Sequence, residues 1–245
     1  RGREEAIKSY GGEVVRVVGA YDRAVERLHE DAAEHGYFVI SDQSTPDHPQ
    51  VPRAIMQGYA MVADELIDQI GAPPTHVFVP GGGGILTGAC CGQLWERYGR
   101  ERPRMVVVEP TASCCLYESA RAGQPVRVES AASVMDGLVV EEASPESVAL
   151  LNAGASAFLT VPDQAAVDAM RGAANPSASD PAVVIGDTGS AGWAGFLASV
   201  GDVEIRAALR LDGDSRVAVV VTEGATDPEV YREIVGRTPE EVAGP

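Results

Sequence analysis

The sequence predicts an α/β fold organised around a mostly parallel sheet. Three observations carry this. Short β-branched runs alternate with helix-length amphipathic stretches along the chain. The segment RMVVVEP (104–110) is almost wholly apolar, as expected of a strand covered on both faces. A third apolar run, THVFVP (75–80), leads directly into four consecutive glycines and then a helix-forming stretch, the signature of a βα turn.

Taken in order, EVVRVVG (13–19) reads as a short strand and YDRAVERLHEDAAEHG (21–36) as an amphipathic helix that stops at Gly36. YFVIS (37–41) reads as another strand. The polar loop SDQSTPDHPQ (41–50) follows and marks a lobe boundary near residue 45. A long helix is expected over 51–71, with Pro52 in its first turn. After THVFVP and the glycines come a helix at 85–99 and the strand at 104–110. Residues 111–144 are irregular around a short helix. Helices at 144–155 and 162–174 flank a strand at 156–161. AVVIG (182–186) reads as a strand leading into a helix, and a further helix covers about 203–210. SRVAVVVTEG (215–224) and DPEVYREIVG (227–236) supply the last strand and helix.

Composition narrows the function. Among 245 residues, Lys and Arg total 19 against 36 Asp and Glu, a formal charge of −17. Such a surface repels phosphate backbones and anionic lipid, which argues against nucleic-acid and membrane partners. No apolar run approaches the length of a membrane span. The cysteines form two adjacent pairs, Cys90-Cys91 and Cys114-Cys115, which is neither a disulfide framework nor a zinc spacing. They read as small buried hydrophobes in a reducing, cytoplasmic setting. The histidines His29, His35, His48 and His76 lack metal-ligand spacing, so no metal is expected. Lys8 is the single lysine, and any chemistry needing a lysine must use it or one outside these residues.

Gly81-Gly82-Gly83-Gly84 is the strongest candidate site. Glycines let the backbone approach an anion, and a helix N-terminus offers free N–H donors and a positive dipole end. The plain alternative is a tight βα turn, but four glycines exceed what a turn requires. A dinucleotide site would need a third glycine where Thr87 stands, although Glu109 ends the next strand about where a ribose-binding acid belongs. Gly186-Asp187-Thr188-Gly189-Ser190-Ala191-Gly192 also joins a strand to a helix, with Asp187 or Thr188 available as a cap. Thr222 ends the last strand, either as an ordinary strand threonine or with its hydroxyl facing a ligand crevice, where it could donate to a ring nitrogen. Asp42 opens the polar loop as a possible general base or a solvated loop carboxylate.

Together these segments resemble the diaminopropionate ammonia-lyase family, within the pyridoxal-phosphate enzymes that include tryptophan synthase β chain and threonine dehydratase. The resemblance rests on GGEVV, YDRAV, Ile55-Met56-Gln57-Gly58-Tyr59, THVF before the glycine loop, VVEP with Cys115-Leu116-Tyr117, Met135 with Gly137-Leu138, the 186–192 segment, and TEGATDPEVYRE at the end. It implies a three-layer, tryptophan synthase β-like fold, incomplete at the N-terminus, with residues 1–45 in a small lobe and 46–245 in a cofactor-binding lobe. It implies pyridoxal 5′-phosphate cradled by Gly82, Gly83 and Gly84, Thr222 facing the pyridine nitrogen, and Asp42 as the base toward the D-substrate. A homodimer acting on a small amino acid is implied, with α,β-elimination of 2,3-diaminopropionate to pyruvate and ammonia. The family's cofactor-binding lysine and a second acid–base aspartate have no counterpart here, so the chain reads as a carboxy-terminal portion that is inactive alone. Thr45, Pro46, His48, Asp136 and Asp187 depart from the family pattern. The alternatives are a threonine or serine dehydratase-like lyase and a non-catalytic cofactor-binding remnant; a nicotinamide dinucleotide-binding domain is a further one.

Overall fold

The computed structural model describes residues 2–18, 21–42, 50–177 and 179–244. Thr45, Pro46 and His48, and the expected lobe boundary at residue 45, lie outside them. Two helices come first, α1 (Gly2–Ser9) and α2 (Tyr21–His35), then the long α3 (Gln50–Ile70). The sheet begins with β1 (His76–Pro80), followed by α4 (Ile85–Tyr98), β2 (Arg104–Pro110) and α5 (Cys115–Ala122). Next come α6 (Pro145–Gly154), β3 (Ala157–Val161), α7 (Asp163–Ala174), α8 (Ala191–Gly201) and α9 (Val203–Leu209). The short β4 (Val217–Val219), α10 (Pro228–Val235) and α11 (Pro239–Ala243) close the chain.

The four strands are parallel in the order β3-β2-β1-β4. Alternate residues face opposite layers, as pleating requires. Val77, Val79, Met105 and Val107 pack with Ala63, Ile67, Cys90, Cys91, Leu94 and Leu151 from α3, α4 and α6. Phe78, Val106 and Val108 pack with Ala166, Ala169, Ala191, Ala194 and Leu209 from α7, α8 and α9. Both faces of β1 are thus covered and its residues are fully buried. This is the expected three-layer α/β arrangement.

Glycines in α8 let that helix lie against the sheet. A Cβ on Gly195 would sit 2.5 Å from a methyl of Val108, whereas one on Gly172 in α7 would meet nothing within 4 Å. Gly195→Ala is therefore expected to destabilise by roughly 1–3 kcal/mol through overpacking. Gly172→Ala should stabilise by about 0.5–1 kcal/mol through helix propensity alone. Paired urea denaturation curves check the opposite signs.

Three expected strands are corrected. Residues 13–18 and 37–41 carry no ladder and no regular secondary structure. Several of their apolar side chains stand in solvent, with Val18 98% and Ile40 75% exposed, although Val39 is buried. A β-branched pattern favours an extended backbone, but a strand also needs a neighbouring strand, and these segments join no ladder among the described residues. AVVIG (182–186) is likewise unladdered. The last strand is shorter than its apolar run because β1 ends at Pro80, which has no N–H, and the chain then turns into the glycines. The helix α11 adds to the expected set; Thr238 and Glu241 form a capping box readable in T-P-E-E. Among the described residues no helix is long and apolar enough to cross a membrane.

Candidate active site

The carboxyl ends of the parallel strands gather the glycine loop, the 186–190 turn and Thr222 at one rim, where such sheets bind ligands. Gly82 and Gly84 have φ of +75° and +88°, a conformation that disfavours side chains. Gly84 caps α4 with no side-chain hydrogen bond to the helix's first turn. The loop's carbonyls are tied back into the protein. The Cys115 thiol donates to the Gly82 carbonyl at 3.4 Å, and the Ser144 N–H donates to the Gly83 carbonyl at 3.0 Å. In a trans peptide the C=O and N–H point opposite ways. Anchoring these two carbonyls therefore turns the N–H groups of Gly83 and Gly84 away from α5 and α6. A Cβ on Gly83 would meet nothing within 4 Å, so the loop is open there.

The surroundings keep the loop narrow. A Cβ on Gly84 would fall 2.8 Å from the Ser147 Cβ and 3.1 Å from Leu116. The Ser147 hydroxyl is buried with no hydrogen-bond partner among the described residues. Beneath the loop lies Glu109, 1% exposed, accepting from the Leu116 and Tyr117 N–H groups at 3.1 and 2.7 Å. Burial pushes its carboxyl up to about 7 against the opposing pull of those donors. A residue committed to capping α5 cannot reach a ribose, which corrects the dinucleotide reading of Glu109.

Asp187 caps the 188–190 turn through the Thr188 N–H at 2.7 Å, in keeping with its place in the sequence. The Thr188 N–H also reaches Glu223 at 2.9 Å. Burial and the neighbouring Glu223 carboxyl push Asp187 upward. Although burial opposes it, Glu223 is held low by Asp187, Thr226 and the Thr188 N–H. The Arg3 guanidinium reaches Asp136 at 2.9 Å and Glu223 at 3.3 Å, and the Gly2 N–H reaches Asp227 at 3.0 Å. These contacts tie α1 to the rim. Sequence reasoning does not join Asp136, Asp187 and Glu223 into one group, because nothing in their spacing reveals a contact across three loops.

Thr222 is exposed just beyond β4, near the paired carboxyls but not part of them. Asp42 is exposed at the end of the 37–41 segment, and no hydrogen bond among the described residues joins it to the glycine loop. The structure thus brings Gly82, Gly83, Gly84 and Thr222 to the carboxyl end of the sheet, while Asp42 follows the 37–41 segment ahead of α3. Lys8 lies on exposed α1, bonded to Glu4 at 2.6 Å. Cys90, Cys91 and Cys115 are buried and Cys114 is half-buried, all as free thiols. Asp31, Glu34 and His35 approach one another on α2, with Glu34 and His35 exposed, and form an ordinary surface cluster.

A strand-to-glycine loop at the carboxyl end of a parallel sheet, with its N–H groups aimed outward, defines an anion-binding α/β enzyme class. The chain belongs to the pyridoxal-phosphate dependent enzyme family, whose pattern matches residues 1–223. It is 34% identical over 241 residues to diaminopropionate ammonia-lyase of Escherichia coli (strain K12), covering 95% of this chain and 60% of that relative. The Salmonella typhimurium (strain LT2) diaminopropionate ammonia-lyase is 30% identical, again over 95% of this chain and 60% of its own length. The holo, selenomethionine-substituted crystal structure of the Escherichia coli enzyme superposes with a TM-score of 0.89 at 32% identity, covering 100% of this chain and 63% of that one. Maize serine racemase shares the fold, with a TM-score of 0.78 at 20% identity over 95% of this chain and 65% of that one. The chain therefore spans about three fifths of the length of these ammonia-lyase relatives.

The cofactor is pyridoxal 5′-phosphate, and the residues present fit it. The left-handed Gly82 and Gly84 and the N–H groups of Gly83 and Gly84, turned away from α5 and α6, suit a phosphate. A neutral hydroxyl at Thr222 suits an unprotonated pyridine nitrogen.

Proposed function

We propose that these residues form the cofactor-binding part of an ammonia-lyase that eliminates the β-amino group of 2,3-diaminopropionate, giving pyruvate and ammonia. The anchored carbonyls of Gly82 and Gly83 carry this reading, because they present consecutive N–H donors at the start of α4. When bound, the cofactor supplies an electron sink for the carbon next to the carboxylate. The chain's own residues do the rest. Gly82, Gly83 and Gly84 hold the phosphate and so fix the ring's position. Thr222 donates to the ring nitrogen and keeps it neutral. Asp42 takes the proton from the substrate's α-carbon on the D face. Residues 1–45 belong to the small lobe and 46–245 to the cofactor lobe, and the working assembly is a homodimer in the cytoplasm.

Lys8 is held by Glu4 on the surface of α1, so these residues offer no lysine amine to the site. The 245 residues alone are expected to show no turnover, whereas a protein carrying them with a lysine-bearing lobe turns over. In that protein pyruvate should form from diaminopropionate faster than 2-oxobutyrate from threonine. The reverse order favours a dehydratase, and cofactor binding without turnover by any form favours a non-catalytic remnant. A coupled lactate dehydrogenase assay with each substrate separates the three.

A further inference from the structure

We propose that Glu109 is a positioning residue for the cofactor phosphate, holding the glycine loop from beneath through the Cys115 thiol. This rests on the phosphate reading of the loop and names the device that sets its geometry. Glu109, one residue before the end of β2, lies directly under the loop, and Gly81 is the residue that admits it. A Cβ there would lie 2.3 Å from the Glu109 Cγ. One carboxylate oxygen takes the Leu116 N–H and the other the Tyr117 N–H, which fixes the first turn of α5. Cys114, the N-cap of α5, provides no side-chain cap, so this buried acid from another element does that work.

Cys115 stands in that same turn. Its thiol lies 3.4 Å from the Gly82 carbonyl and 3.9 Å from a Glu109 oxygen. The chain of contacts therefore runs from Glu109 through the start of α5 to the Gly82 carbonyl. That carbonyl's direction decides where the Gly83 N–H points. Glu109 never touches the phosphate; it acts through the peptide that does.

The test compares pyridoxamine 5′-phosphate with pyridoxamine, amines that form no bond to lysine, by isothermal titration of the 245-residue chain. The ratio of the two affinities isolates the phosphate's contribution. In Glu109→Gln the amide can accept from one N–H but not both, and at about pH 8.5, where the parent carboxyl is ionised, the ratio is expected to fall about tenfold, the scale of one lost charge-assisted hydrogen bond. Pyridoxamine affinity should stay within about twofold, because the ring's contacts are untouched. Cys115→Ala should lower the ratio in the same direction, and Cys115→Ser should restore it. A general loss of fold would depress both ligands together. An unchanged ratio in Glu109→Gln and Cys115→Ala overturns the proposal. If Glu109→Gln fails to fold, the Cys115 pair decides alone. A parent chain that binds both ligands equally removes the phosphate reading of the loop, and this proposal with it.

Discussion

Replacing Gly84 by alanine is expected to abolish binding of the cofactor phosphate and to destabilise the chain by about 2–4 kcal/mol. Two costs combine. A left-handed backbone costs a non-glycine residue on the order of 1 kcal/mol. The new methyl must also enter a space closed by Ser147 at 2.8 Å and Leu116 at 3.1 Å, and overpacking of this kind costs roughly 1–3 kcal/mol. Relief requires the loop or α6 to shift, and either movement disturbs the Ser144 contact that anchors the Gly83 carbonyl. Gly83→Ala is the matched control for the stability part alone, with open space at its Cβ. Thermal melts without ligand, with pyridoxamine 5′-phosphate titrations, check both parts.

The second large effect is a pH dependence that belongs to Glu109. Its carboxyl is raised from 4.5 to about 7 by burial, so the folded chain holds this proton more tightly than the unfolded chain. Between those values the unfolded state binds fewer protons, and stability must fall as pH rises. A neutral Gln at 109 does not titrate. The stability of the parent relative to Glu109→Gln should therefore drop between about pH 5 and pH 8, by on the order of 2–3 kcal/mol. Urea unfolding of both proteins at several pH values across that window measures it. A difference that stays flat would mean that Glu109 ionises as an ordinary carboxyl.

Much of the fold is legible in the sequence because its signals are local. The apolar runs at 76–80 and 104–110 are strands since both faces are covered, and the period of 50–70 builds α3. The segments at 13–18 and 37–41, which form no ladder, show where local reading stops, because pairing depends on what lies alongside. The reading of the glycine loop as an anion site comes from four adjacent glycines, and that of Thr222 from its place at the end of the expected last strand. Glu109 is misleading because its sequence position matches a ribose-binding acid, and only the contact with α5 reveals its task. Ser147 gives no sequence signal at all; its importance comes from α6 packing against Gly84. Asp42 comes forward through family resemblance, and its role as a base stands on that resemblance.

The most direct test of the loop's role is a two-dimensional amide NMR titration of the chain with pyridoxamine 5′-phosphate. The predicted result is that the Gly82, Gly83, Gly84 and Ile85 amides move together, with Thr222 responding to the ring, and that pyridoxamine leaves those loop amides in place. Shifts confined to residues 186–192, or none in the loop at saturating ligand, would contradict the assignment of residues 81–84 as the phosphate cradle.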